Sequence, residues 1–173
     1  MVNINTLYIM CGLPFSGKAI CAKKITEKYK LTYISQDDTL FSQGFSFENN
    51  RELTKYELKV LFETIYIRIS ESLKKGNSVM YDAANKSKVG RNKLRKLASK
   101  AGANFQIVYL DTPISLIYKR WKRNRKTNKR FDVTEYQLKK TLEKFESPDF
   151  ESGLIKFKSN SDFEKYFFGK RED

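Results

Sequence analysis

Short apolar runs alternate along this chain with longer segments whose apolar positions recur every three or four residues. Thr6–Cys11 (TLYIMC) is an almost unbroken apolar run of strand length, the pattern of a strand covered on both faces of a sheet. Gly17–Tyr29 carries Ile20, Cys21 and Ile25 at helical spacing. Leu31–Ser35 predicts a second strand ending at Asp37-Asp38, and the Gly, Ser and Asn of Ser42–Asn50 predict a loop. Arg51–Lys75 predicts a long helix with Leu58, Leu61, Phe62, Ile65, Ile69 and Leu73 on one stripe, stopped by Gly76. Ser78–Tyr81 is a third strand closed by Asp82, and Ser87 is placed to cap a helix running to Lys100 before Gly102.

Phe105–Leu110 predicts a fourth strand ending at Asp111, and Pro113 opens a helix through Ile117 and Trp121. Asn124–Asp132 is a polar, cationic connection, followed by a helix over Thr134–Phe145 that Ser147-Pro148 stops. Gly153–Phe157 and Asp162–Phe168 predict a last strand and a short terminal helix. Strand–helix alternation without repeat or linker predicts one α/β domain over residues 1–173. Its sheet is mostly parallel and flanked by helices, with ligands gathered at the carboxyl ends of the strands.

Composition sharpens this picture in three places. The 173 residues, 40% hydrophobic and 14% aromatic, can bury a core without disulfides or metals. Cys11 and Cys21 make neither a disulfide framework nor a zinc site. With no run long enough to span a bilayer and no cationic leader at Met1–Asn5, a cytoplasmic protein is expected. The chain has no histidine, so a general base must come from a carboxylate or a lysine, and His-based triads are excluded. The formal charge of +14 is concentrated: seven basic residues lie in Lys86–Lys100 and eight in Lys119–Arg130, with no acid in either segment. Outside them, 19 basic residues face 20 acidic ones, so the two segments read as surfaces for polyanions or as solvated helix faces.

Gly12-Leu-Pro-Phe-Ser-Gly17-Lys18-Ala19 matches the phosphate-binding loop Gly-x4-Gly-Lys-Ser/Thr everywhere but its last place. It lies directly after a buried strand and opens a helix, which is where the chemistry requires it. Gly12 and Gly17 would let the backbone curl so that its amides converge on an anion at the helix's positive end, with Pro14 and Ser16 in the same nucleotide-binding loop, and Lys18 would reach the β- and γ-phosphates of ATP. Ala19 is the departure. A Ser or Thr there supplies a hydroxyl to the Mg2+ that rides on the phosphates, and alanine leaves that place to water. Three aspartates, Asp37, Asp82 and Asp111, close predicted strands. Asp37 is the expected base for an acceptor hydroxyl, with Asp38 a substitute, while Asp111 before Thr112-Pro113 reads as a helix cap.

Gly12–Ala19, Ser35–Asp38, Tyr81-Asp82 with Asn85 and Arg91, the arginine-rich stretch 120–130 and Phe145–Pro148 occur in order. Together they resemble the small P-loop kinases of the polynucleotide 5′-hydroxyl kinase type, over about residues 5–150. That resemblance implies a P-loop nucleotide-kinase-like sandwich whose Asp37 activates the acceptor and whose Asp82, Asn85 and Arg91 line the acceptor side. One or more of Arg120, Arg123, Arg125 and Arg130 would close over ATP as a lid (about 120–133) and stabilise the transferring phosphoryl group, with RNA or DNA ends as partners. In the phage enzymes of this type an arginine three residues after the catalytic aspartate grips the acceptor phosphate, and here that place is Leu40. Arg51 or the 86–100 helix would then have to grip the substrate. Phe41, Phe45 and Phe47 would stack on a base or pack on the core. Three readings therefore stand: a polynucleotide 5′-hydroxyl kinase, a small-metabolite or nucleotide-like kinase, and an ATP-binding protein whose catalysis Ala19 has weakened.

Overall fold

Five strands, β1 (Thr6–Cys11), β2 (Thr32–Ser35), β3 (Val79–Asp82), β4 (Asn104–Leu110) and β5 (Leu154–Phe157), form one sheet in the order β2-β3-β1-β4-β5. Every adjacent pair is parallel. The structure is a computed structural model that describes residues 4–45, 52–127 and 133–169. The uninterrupted apolar run of β1 takes the central place, where Leu7 pairs with Val79 on one side and Phe105 on the other. Its Leu7, Ile9, Met10 and Cys11 are fully enclosed.

Helices cover both faces. Against one face lie α3 (Lys55–Lys74) and α4 (Lys88–Lys100), whose Leu61, Ile65, Ile69, Leu73, Leu94 and Ala98 join the core. Against the other lie α1 (Lys18–Tyr29) and α7 (Asn160–Phe168), through Cys21, Ala22, Ile25, Phe163 and Phe167. A third cluster joins α5 (Ile114–Thr127) to α6 (Glu135–Glu143) through Ile117, Trp121 and Leu138, with Leu13 and Phe15 packed on it. Leu13 and Phe15 belong to the phosphate-loop segment, so this third cluster ties the loop to α5.

Caps define where the helices begin. Ser87 accepts from Gly90 N–H at the start of α4, as its position in the sequence predicts. Thr54 and Thr134 close capping boxes with Glu57 and Gln137. Each box satisfies two amides that a helix start leaves unpaired, so α3 begins after Thr54 rather than at Arg51.

Three expectations are corrected. A helix, α2 (Gln36–Ser42), follows β2 directly, where the sequence reading had the strand reach Asp37-Asp38 and a loop follow from Ser42. Ser35 caps it by accepting from Asp38 N–H at 3.1 Å, so both aspartates sit in the first turn, where negative charge suits the helix dipole. Second, α5 continues to Thr127 and places Arg125 on helix rather than in a connection. Buried Ile117, Trp121 and Asn124 at helical spacing carry it past the expected break. Leu58, expected on the buried stripe of α3, is 38% exposed. Phe47, Arg51 and Arg130 lie outside the described residues, as do residues 128–132 of the expected lid.

Candidate active site

The turn between β1 and α1 is shaped by three residues of positive φ, Gly12 (144°), Phe15 (62°) and Gly17 (105°). A side chain at Gly12 would also bring its Cβ to 2.8 Å from the Leu110 carbonyl. Glycine there satisfies both the conformation and the close approach. The loop's carbonyls are held from outside. Arg120 Nη1 donates to the Phe15 and Ser16 carbonyls at 3.0 and 2.8 Å, and Thr112 Oγ1 donates to the Ser16 carbonyl at 3.2 Å. The C=O and N–H of one planar peptide point in opposite directions, so the Gly17 N–H is directed away from Arg120. Together with the open amides of the first turn of α1, it makes an anion site at a helix N-terminus.

Lys18 lies back across this loop, donating from Nζ to the Leu13 carbonyl at 2.7 Å and to Ser16 Oγ at 3.4 Å. Desolvation pulls its ammonium below the ordinary lysine range, opposed by the charges of Asp82, Cys11 and Asp37. A phosphate held in the loop would add to these charges and favour the charged ammonium. Ala19 is exposed on the first turn of α1 and offers no hydroxyl.

The carboxylates converge because parallel pairing sets Ser35 of β2 beside Asp82 of β3. Asp82 accepts a hydrogen bond from Tyr33 Oη at 2.7 Å. Desolvation raises Asp82 above the ordinary carboxylate range, while the Tyr33 bond and Lys18 lower it. Asp37 is exposed in the first turn of α2, and its carboxyl is also raised, first by desolvation and then by the charges of Asp82 and Asp38. Two carboxylates that resist joint ionisation beside one lysine make a site able to hold or take up a positive charge.

Asn85 and Arg91 are placed differently from what the resemblance implied. Asn85 Nδ2 donates to the Met10 carbonyl at 2.6 Å, and the neighbouring Ala84 carbonyl accepts from Gly12 N–H at 3.3 Å. These bonds tie the 83–87 loop to the root of the phosphate loop. Arg91 is 0% exposed. Its Nε and Nη2 donate to Glu151 Oε1 at 3.0 and 2.6 Å, and its Nη1 donates to the Asn85 carbonyl at 2.8 Å. The guanidinium is thus enclosed behind the site, with its donors spent on protein.

On the outer side of the loop, a cavity of about 280 Å³ is lined by Phe15, Gly17, Ile20, Arg120, Arg123 and Asn160. Asn160, at the start of α7, stands just over 3 Å from where a Cβ on Gly17 would be. Arg125 lies over the Trp121 ring, 5.6 Å from its centroid. The fold therefore gathers Gly12 through Ala19, Asp37, Asp82, Arg120 and Arg123 around one end of the sheet. Tyr33, Thr112, Glu151 and Asn160 belong to the same surroundings, and sequence reasoning missed all four. Tyr33 carried a weak signal, standing two places before Ser35 on the strand that leads to Asp37; the others had none.

A parallel sheet with a glycine–lysine loop after its central strand, and carboxylates at the neighbouring strand ends, defines a P-loop protein of the nucleotide-kinase-like fold. Residues 7–148 match the family model described as AAA domain (AAA_33), and the chain belongs to that family. A search of curated protein sequences finds no match. Solved structures share the fold at low identity. Kti12 of Chaetomium thermophilum, in complex with ADP-AlF3, superposes with a TM-score of 0.72 at 16% identity, over 93% of this chain and 95% of that one. A gluconokinase from Sinorhizobium meliloti 1021 gives 0.64 at 20%, over 90% and 83%. The Pnkp1/Rnl/Hen1 RNA repair complex gives 0.69 at 18%, over 82% of this chain and 44% of that one. Among the described residues no helix is long and apolar enough to cross a membrane.

Proposed function

We propose that this protein is an ATP-dependent phosphotransferase that moves the γ-phosphate to an acceptor hydroxyl, the 5′-hydroxyl of an RNA or DNA end. The observation that carries the reading is the convergence of Lys18, Asp37 and Asp82 beside the phosphate loop, in a chain without histidine. The loop amides and Lys18 hold the phosphates, and the cavity beside Arg120, Arg123 and Asn160 receives the base. Asp37 takes the proton from the acceptor hydroxyl as its oxygen bonds to the γ-phosphorus. The bond from phosphorus to the bridging oxygen then breaks, and ADP leaves. Arg120 steadies the phosphate loop from its outer side through the Phe15 and Ser16 carbonyls, and Arg123, lining the same cavity, is the arginine left to turn toward the charge that builds on the transferring group.

Asp82 would suit a magnesium ion, because a carboxylate that desolvation raises above its ordinary range offers a hard oxygen donor to a cation. When bound, such an ion would offset the charge of the phosphates. Among the described residues no group of three or more His, Cys, Asp or Glu side chains is placed to hold a metal ion. Asn85 and Arg91 act here as positioning residues for the loop rather than as contacts to the acceptor.

The nucleic-acid reading draws on the two basic segments, and on the presence of an RNA repair complex among proteins of this fold. One observation favours a small-metabolite acceptor instead. Leu40, in the place where the resembled enzymes grip a phosphate, packs against the core. The deciding test is transfer from γ-labelled ATP to 5′-hydroxyl RNA and DNA oligonucleotides, with Lys18→Ala as control. Label on the oligonucleotide that Lys18→Ala abolishes is expected. ATP binding without such transfer, alongside turnover of a small alcohol, would transfer the assignment to the metabolite reading.

Ala19→Ser is a second expected result. Restoring the missing hydroxyl should lower the magnesium concentration needed for half-maximal rate, with kcat equal or higher. An unchanged magnesium dependence would mean that the metal sits out of reach of this position.

A further inference from the structure

The basic residues of α4 divide by face. Its arginines turn inward: Arg91 is enclosed on Glu151, and Arg95 donates to Asn92 Oδ1 at 2.5 Å and lies over the Phe105 ring, 4.7 Å from the centroid. Its lysines turn outward. Lys93, Lys96 and Lys100 recur at helical spacing and, with Tyr66 and Ser70 of α3 and Leu97, line a groove of about 380 Å³ between the two helices. No acidic residue lines this groove among the described residues, and none of the three lysines has an ion-pair or hydrogen-bond partner there. Glu63, one turn before Tyr66 on α3, pairs with Lys59 at 3.8 Å.

Three unneutralised ammonium groups in a concave channel repel one another and concentrate positive potential. A polyanion relieves that repulsion. The stripe also has a direction. α4 starts from the 83–87 loop, which is bonded to Gly12 of the phosphate loop, and it ends near Asn104, whose N–H donates to the Asn5 carbonyl at the opposite end of the strands. From its first turn to Lys100, α4 rises about 18 Å. We propose that the α3–α4 groove is a binding track for the sugar-phosphate backbone of a single-stranded nucleic acid whose 5′ end enters the active site. This inference rests on the reading of the acceptor as a nucleic-acid end, and it assigns the grip that Leu40 does not provide to Lys93, Lys96 and Lys100. Tyr66, half-buried in the wall and stacked on Phe62, leaves the backbone phosphates as the groups that the lysines hold, so the track is indifferent to base. At ~3.4 Å per stacked nucleotide, the track suits strands of roughly five nucleotides or more.

The test uses the whole chain and single-stranded RNA that already carries a 5′-phosphate, so that binding is read without any transfer. Fluorescence anisotropy is followed against salt for the wild type and for Lys93→Gln/Lys96→Gln/Lys100→Gln. Three lost phosphate contacts should flatten the slope of log K against log salt by about 2. The wild type should accordingly lose about 20-fold more affinity than the variant between 50 and 200 mM salt. An ATP affinity equal to wild type, with an unchanged melting temperature, shows that the variant is folded. Equal salt slopes for the two proteins would overturn the proposal. So would anionic vesicles that bind the wild type, but not the variant, while RNA binds neither. If the slopes differ as expected but no 5′-hydroxyl strand is phosphorylated, the track stands and the assigned acceptor falls.

Discussion

Asp37→Asn is expected to lower kcat/KM for phosphate transfer by about 10²–10⁴-fold, the usual contribution of a positioned general base, while leaving ATP affinity near wild type. The same change should make the folded protein more stable at neutral pH. Desolvation, helped by Asp82 and Asp38, raises the Asp37 carboxyl in the folded state above its ordinary value near 3.9. Between the unfolded and the folded pKa the native protein therefore binds more protons than the unfolded chain, so stability falls as pH rises through that window. Asparagine carries no charge to desolvate and removes this dependence. The acid limb of the wild-type kcat/KM profile should accordingly lie above the range of a free aspartate, and melting temperatures compared at acid and neutral pH give the stability arm. A variant that keeps wild-type transfer would remove Asp37 from the chemistry and point to Asp38, one residue further along the same helical turn.

Arg91→Met should produce the largest loss of stability. It strands the carboxylate of Glu151, 8% exposed, with only Arg95 Nη2 at 3.5 Å. Breaking one side of a buried pair costs about 3–5 kcal/mol. For a chain of this size that corresponds to a fall of about 10 °C in melting temperature. Arg91→Met/Glu151→Leu removes both charges and should recover most of the loss, because a well-packed apolar pair replaces a buried ion pair at little cost. ATP affinity separates positioning from mere folding. Arg91 also holds the Asn85 carbonyl, and Asn85 holds the Met10 carbonyl at the root of the phosphate loop. Affinity for ATP should stay reduced in the double variant after its stability returns. Full recovery of both would confine Arg91 to the core.

Both predictions turn on the difference between a residue's kind and its surroundings. Asp37 could be chosen as a base from its place after a strand in a chain without histidine, yet its raised carboxyl depends first on desolvation in the folded site and then on Asp82, 45 positions further on. Arg91 was placed with the acceptor because it follows Asp82 and Asn85 in a familiar order. Glu151, 60 positions away, takes its guanidinium instead. The short helix after β2 also escaped sequence reading, since Ser35 and Asp38 form a cap only a few residues long with little apolar periodicity behind it.

What the sequence determined by itself is whatever local spacing expresses. The enclosed run of β1 marked the central strand, Gly12 and Gly17 supplied positive φ around the loop, Lys18 opened a helix, and Ser87 capped another. Each of these follows from backbone sterics and hydrogen bonding within a few residues, which any chain carrying the motif must obey. Only the tertiary structure decided which side chains meet across the sheet. Pairing β2 with β3 brought Tyr33 to Asp82, and α5 brought Arg120 to loop carbonyls 104 and 105 positions earlier. The core packing that turned the arginines of α4 inward left its lysines along the α3–α4 groove. Those meetings are set by strand order and by burial of the whole apolar surface, and no local stretch of sequence carries that information.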